Sequence, residues 1–250
     1  MTIGKIVLVG CSWGCGEWSY DQNSDHYVSH PGLSEYLSVD HNVLNLSRGG
    51  NSNWQICYTL ENYLNVKGDD KNTTYIVVQT DPMRGGNSEN FNVNYKQHAN
   101  KADSLLILYQ SLLEEFYHKL QYIGNMYNIN IQLIGGISDV FIEGLDNITR
   151  VNVLCPSWIN LIAQTIDSNF KSSNNIIPID MRSEMLTRLR NYKKQNMLNE
   201  AMNHIDAKFL FRQQLIESEY FGPIHGDFHP NRVGHLLLYN YIKTKLKKIL

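Results

Sequence analysis

Short apolar runs, each closed by glycine or a turn residue, alternate along this chain with longer stretches of helical periodicity. Ile6-Val7-Leu8-Val9 stops at Gly10 and reads as a buried strand. Asn42 to Leu46 stops before Arg48-Gly49-Gly50, Tyr75 to Gln79 stops near Asp81-Pro82, and Ile129 to Gly135 stops at Gly135-Gly136. Ile176-Ile177-Pro178-Ile179 is the fifth strand expected, and its proline assigns it to an edge. Helical spacing covers Trp54 to Leu64 and Asp103 to Tyr127, with a weaker pattern over Val151 to Ile166. Ser183 to Asn203, Ala207 to Glu219 and the amphipathic Arg232 to Leu250 complete the set. Met83 to Ala99 and Ser168 to Asn175 are polar and read as loops.

Strands alternating with helices specify a parallel sheet covered on both faces. The expected fold is therefore α/β: a three-layer α/β/α, flavodoxin-like domain with a central parallel sheet of about five strands. No repeat, low-complexity tract or linker divides the chain, so residues 1–250 are expected to form one domain. In such sheets ligands sit outside the carboxyl ends of the strands. That rule places Gly10 to Ser12, Gly49 to Asn53 and Gln79 to Asp81 on one rim.

Composition narrows the function classes. The 250 residues carry 22 basic and 24 acidic side chains, a formal net charge of -2. That balance gives no electrostatic case for nucleic acid or an anionic membrane. No stretch approaches the roughly 20 apolar residues of a membrane span. The apolar run within Met1 to Gly10 is too short for a secretory leader, so a cytoplasmic protein is expected. Cys11, Cys15, Cys57 and Cys155 fit neither a zinc knuckle nor a disulfide framework, and free thiols are expected. Gly10, Gly14 and Gly16 match no nucleotide-binding fingerprint, and no cofactor is expected.

The chemistry-bearing residues lie at the two ends of the chain. Gly10-Cys11-Ser12-Trp13-Gly14 follows the first strand directly, where a serine on a glycine-flanked turn can present its hydroxyl at the rim. The same residues also suit a tight turn with a serine cap. His225-Gly226-Asp227-Phe228-His229-Pro230-Asn231 precedes the last helix. With Phe228 extended, Asp227 and His229 point the same way, so Asp227 could fix the imidazole tautomer of His229. Ser12, Asp227 and His229 then have the residue types of a nucleophile, its orienting acid and its base.

These blocks resemble the SGNH (GDSL-like) hydrolases. Gly10-Cys11-Ser12 is similar to the family's G-D-S nucleophile block, with Cys11 in place of Asp. Asn45-Leu46-Ser47-Arg48-Gly49-Gly50 resembles the second block, which implies that the Gly50 amide serves the oxyanion hole. Asp227-Phe228-His229-Pro230-Asn231 resembles the last block, with Asp-x-His where the family usually has Asp-x-x-His. The family's third block carries an Asn donor, whereas Val78-Gln79-Thr80-Asp81 stands here. Gln79, Thr80 or Asn53 is then expected to supply the side-chain donor, with Trp13 beside the substrate. The blocks also resemble SGNH-like proteins of bacteriophages and marine bacteria. The resemblance implies a serine esterase or acetyl-transfer enzyme acting on a small acyl ester, such as O-acetyl on a carbohydrate.

Two other readings fit the same residues. His225, Asp227 and His229 alternate along an extended segment and could hold a divalent metal, with His235 as a fourth ligand. A non-catalytic binding or virion-associated protein on the same scaffold would instead use Trp13, Trp18, Tyr20 and Tyr27 as an aromatic surface.

Overall fold

The computed structural model describes residues 4–20, 26–68, 72–82, 84, 102–166, 218–222 and 229–249. Five strands form one parallel sheet: β1 (Lys5–Gly10), β4 (Asn42–Asn45), β5 (Thr73–Gln79), β6 (Ile131–Gly135) and β7 (Val151–Cys155). Their spatial order is β4-β1-β5-β6-β7. Leu8 lies opposite Asn45 on one side and Ile76 on the other, so β1 is paired along both edges. This is why Ile6 to Val9 is continuously apolar: all four side chains are buried, on both faces of the sheet. Full burial of such a side chain stabilises the fold by roughly 1.5–3 kcal/mol.

Helices cover both faces. α3 (Asn53–Lys67) packs on α4 (Ala102–Met126). α6 (Arg232–Ile249) packs on α2 (Leu33–Ser38), α5 (Trp158–Ile166) and β7. The result is the expected three-layer α/β/α architecture. Ser52 begins α3 with a reciprocal capping box, its hydroxyl accepting from Gln55 N–H while the Gln55 side chain accepts from Ser52 N–H.

The stretch Val151 to Ile166, expected to be helical throughout, begins instead with a strand. Val151–Cys155 forms β7 and pairs with β6, and helix α5 starts only at Trp158. Pro156-Ser157 is the break within this stretch, and Ser157 Oγ caps α5 by accepting from Asn160 N–H at 3.0 Å. Ile176 to Ile179, the loop Ser168 to Asn175 and the helix Ser183 to Asn203 lie outside the described residues, as do nearly all of Ala207 to Glu219 and Met83 to Ala99. The segment between β1 and β4 was not foreseen: the short helices α1 (Ser12–Cys15) and α2, with an antiparallel hairpin of β2 (Glu17–Tyr20) and β3 (His26–His30) inserted between them.

The chain path fixes where a site can be. From β1 the chain goes to β4 at one edge, and from β4 it crosses to β5 on the other side of β1. The winding reverses at β1, so the crevice of this sheet opens at the carboxyl end of β1, where Ser12 stands. Among the described residues no helix is long and apolar enough to cross a membrane.

Candidate active site

Ser12 opens the four-residue helix α1 immediately beyond β1. Its side chain is buried, and among the described residues its Oγ has no hydrogen-bond partner. A buried hydroxyl without a partner is costly and uncommon in a native fold. The surrounding backbone is firmly held. Arg48 N–H and the Asn51 side-chain amide both donate to Gly10 O, at 3.1 and 3.2 Å. Asn45 Nδ2 donates to Gly14 O at 2.9 Å, and Asn45 Oδ1 accepts from Ser47 N–H at 3.0 Å. The β4 exit loop is thus stitched to the β1 exit on both sides of Ser12. A Cβ on Gly14 would stand 2.5 Å from Ser47 Oγ, so only glycine fits where these two loops meet.

Trp18, on the hairpin, joins this turn to the other end of the chain. Its Nε1 donates to Ser12 O at 2.9 Å. Its ring faces the His229 imidazole with centroids 5.7 Å apart. His229 is held from below by the chain at Tyr220 to Gly222. Gly222 N–H donates to His229 O at 3.1 Å, and Asn231 N–H donates to Tyr220 O at 2.9 Å. Glu17, the neighbour of Trp18, binds Arg232 just beyond His229. The Arg232 backbone N–H and Nε both reach Glu17 Oε2 at 2.8 Å, and a terminal nitrogen reaches Oε1 at 3.3 Å. Burial alone would raise the Glu17 carboxyl, but the hydrogen bonds and charge of Arg232 outweigh it and hold the group below its ordinary value.

The other expected residues divide into rim and core. Gly50 is exposed at the rim with φ +78°, the left-handed region that favours glycine, and open space surrounds its Cβ position. Asn53 and Thr80 are clasped together: Thr80 N–H donates to Asn53 Oδ1 at 2.9 Å, and Asn53 Nδ2 donates to Thr80 O at 3.1 Å. Thr80 Oγ1 is buried and, among the described residues, has no hydrogen-bond partner.

Three expectations are corrected. Gln79 does not turn its amide to the rim. Its Nε2 donates to Ser138 Oγ at 2.6 Å and to Asp139 O at 2.9 Å, while its Oε1 accepts from Tyr117 OH at 3.0 Å. Both amide hydrogens are used to anchor the loop after β6, which leaves none for an oxyanion. Trp13 is not beside a substrate either. It is fully buried, edge-on to Trp158 at 5.4 Å and packed on Phe221 at 6.1 Å. A third correction concerns His235 as a metal ligand. It is fully buried, its Nδ1 already accepts Leu33 N–H at 3.0 Å, and its ring sits edge-on to Trp158 at 4.8 Å. His225 and Asp227 lie outside the described residues.

Cys15 stands beside Ser12 but is no thiolate at neutral pH. Burial, reinforced by Cys11, pushes its thiol up to about 12. The cleft bounded by Asp139, Cys155, Ser157, Asn160 and Tyr241, about 240 Å³ in volume, opens at the β6 and β7 side of the sheet rather than at Ser12. The residues that sequence reasoning missed are Trp18 as a bridge and Glu17 with Arg232 as its anchor. No local pattern marks them, because the pairing spans most of the chain.

No family model matches the chain, and no curated protein matches it in sequence. Solved structures do. A member of the lipolytic G-D-S-L protein family from Veillonella parvula is similar over 98% of this chain and 98% of its own, with 16% identity and a TM-score of 0.45. A lipase/acylhydrolase from Enterococcus faecalis is similar over 99% of this chain and 97% of its own, with 14% identity and a TM-score of 0.45. The α/β/α fold assigned above rests on the sheet order of this chain itself.

Proposed function

We propose that the protein is a serine esterase, an acyl hydrolase acting on small acyl esters, with Ser12 as nucleophile and His229 as base. The observation that carries the reading is the Ser12 hydroxyl: buried and, among the described residues, without a hydrogen-bond partner at the topological switch point, with one tryptophan linking its backbone to the His229 ring.

In this mechanism His229 takes the Ser12 proton as Oγ bonds to the ester carbonyl carbon. Asp227 holds the imidazole tautomer and stabilises its cation. The backbone amides of Ser12 and Gly50 receive the oxyanion, and Thr80 Oγ1 is the side-chain donor. The carbon–oxygen bond to the alcohol then breaks, and the alcohol leaves with the proton from His229. Water, deprotonated by the same imidazole, releases the acid and restores Ser12. An O-acetylated carbohydrate is the substrate proposed within this class. The whole chain, residues 1–250, acts as one domain.

A fluorophosphonate probe tests the proposal. Modification located at Ser12 by mass spectrometry, lost in Ser12→Ala and His229→Ala and retained in EDTA, is the expected result. A folded protein that stays unlabelled would overturn it, in favour of a non-catalytic binding role. Labelling abolished by EDTA would favour a metal site at His225, Asp227 and His229.

A further inference from the structure

We infer that Trp18 is a positioning residue that sets the His229 ring against Ser12, and that the β2–β3 hairpin exists to deliver it; the catalytic part of this inference rests on the esterase reading above. The three segments that would make up the site come from distant parts of the chain: the turn at Ser12, the loop at Gly49-Gly50 and the segment entering α6 at His229. Trp18 touches all three. Its Nε1 holds Ser12 O at 2.9 Å, and its ring faces His229 at 5.7 Å. A Cβ added at Gly49 would stand 3.0 Å from its Cη2.

A half-buried indole placed this way has a task beyond filling space. Neither Ser12 Oγ nor the Ser12 backbone controls where an imidazole from the far end of the chain will lie. The indole meets both, because its Nε1 is tied to the Ser12 carbonyl and its ring lies 5.7 Å from the imidazole, tilted 39° to it. An indole face also attracts a cation. It therefore suits the imidazolium that forms when His229 takes a proton.

Trp18 is in turn anchored. Glu17 accepts from the backbone and guanidinium of Arg232, so the root of the indole is bound to the first residue of α6. On the hairpin's other strand, Ser29 Oγ donates to Glu17 O at 3.2 Å. Gly16, with φ +134°, turns the chain from α1 into β2 at a point where a Cβ would stand 2.1 Å from His30 O. The hairpin is thus fastened to α1 at one end and to the α6 entry at the other. Among the described residues, His235 and Arg232 are the charged or titratable groups that the structure places near His229 on α6 and its entry.

Fluorophosphonate labelling kinetics and side-chain relaxation of ring-labelled His229, measured in parallel on the full chain, test the proposal. Trp18→Ala is expected to slow the maximal labelling rate of Ser12 by roughly tenfold to a hundredfold, the scale of a misplacement near 1 Å. The half-saturating probe concentration should stay within roughly twofold, because the loss is of alignment rather than of probe binding. Trp18→Phe keeps a ring against His229 and should recover part of the rate. The His229 ring should be more mobile on the nanosecond scale in Trp18→Ala than in the parent. Should Trp18→Ala not fold, Glu17→Gln takes its place, with a smaller slowing and the same gain in ring motion. A folded Trp18→Ala that labels at the parental rate overturns the inference while leaving the esterase reading intact. A parent that never labels, yet whose His229 ring loosens in Trp18→Ala, overturns the esterase reading and keeps the positioning role.

Discussion

Lowering the pH from 7 to 4.5 is expected to destabilise the fold through His235. The residue sits on α6 with no exposed surface, edge-on to Trp158 at 4.8 Å. Nδ1 accepts Leu33 N–H, so the proton of the neutral ring is on Nε2. Gly32 permits this approach: its φ is +57°, and a Cβ there would stand 2.7 Å from the imidazole. Protonating Nδ1 would place two hydrogens against each other and a charge in an apolar layer. Burial, helped by the neighbouring His30 and opposed by the Gly16 backbone, accordingly pushes the imidazole down from 6.5 to about 3. An unfolded chain takes up this proton near pH 6.5, and the native state does not until near pH 3. The stabilisation is therefore complete above pH 6.5 and is lost as the pH falls towards the folded value. At pH 4.5 the loss is two units at about 1.36 kcal/mol each, or about 3 kcal/mol. Urea unfolding followed by circular dichroism at both pH values would measure it. His235→Asn is the comparison, because its side-chain oxygen can still accept from Leu33 N–H but cannot titrate. Other histidines and carboxylates are common to both proteins and cancel in the difference. The parent should lose about 3 kcal/mol more than the variant across this interval. Equal pH dependence, within about 1 kcal/mol, would refute the argument.

Three further outcomes follow from the packing around the site. Ser12→Ala should leave thermal stability unchanged or raise it by up to about 1 kcal/mol, because it removes a buried hydroxyl that has no partner among the described residues; differential scanning calorimetry reads this directly. Asn53→Ala strips the partner from the buried Thr80 N–H and should cost about 1–3 kcal/mol in urea unfolding, with slower fluorophosphonate labelling because Thr80 shifts. Trp13→Ala should cost about 3–5 kcal/mol, the scale of a large cavity beneath Trp158 and Phe221.

The strands that belong to the middle of the sheet were legible because burial on both faces leaves a continuous apolar run. Ile6 to Val9 and Tyr75 to Val78 have this property. β7 was harder to see, since the burial of Val151–Cys155 follows no regular period and the strand ends three residues before a helix. The β2–β3 hairpin left no signal at all. Glu17 to Tyr20 is short and mixed in polarity, and His26 to His30 is largely exposed, so neither shows the periodicity of a half-buried strand. Its stability comes from Trp18 and Glu17, whose partners are as remote as Arg232. Ser12 and His229 could be picked out because reactive residue types beside glycine and proline turns are conspicuous. Trp13 and Trp18, five positions apart on the same stretch, could not be told apart. Only the path of the chain sends one into the core and brings the other to the rim.

Gln79 shows why residue type at the right position is not enough. It stands at the carboxyl end of β5, where a donor to the oxyanion was expected. A glutamine ending a strand that is buried on both faces must satisfy its amide inside the protein or bear the desolvation cost. Gln79 does so on the loop after β6, where it binds Ser138 and Asp139. Tyr117 closes the same network by donating both to Gln79 Oε1 and, through its oxygen, accepting from Phe141 N–H. The next residue, Thr80, then has its backbone fixed by Asn53 and by Ser138 Oγ, while its own hydroxyl is left without a partner among the described residues. On the esterase reading the network therefore moves the side-chain donor by one position, from Gln79 to Thr80. Thr80→Val, which keeps the shape and removes the hydroxyl, should then slow Ser12 labelling by roughly a hundredfold, the scale of one lost oxyanion donor. Gln79→Leu should instead show its effect chiefly as lost stability, because the four hydrogen bonds that tie β5 to Tyr117 and to the loop after β6 are removed. Labelling unchanged in Thr80→Val would return the oxyanion to the backbone amides of Ser12 and Gly50 alone.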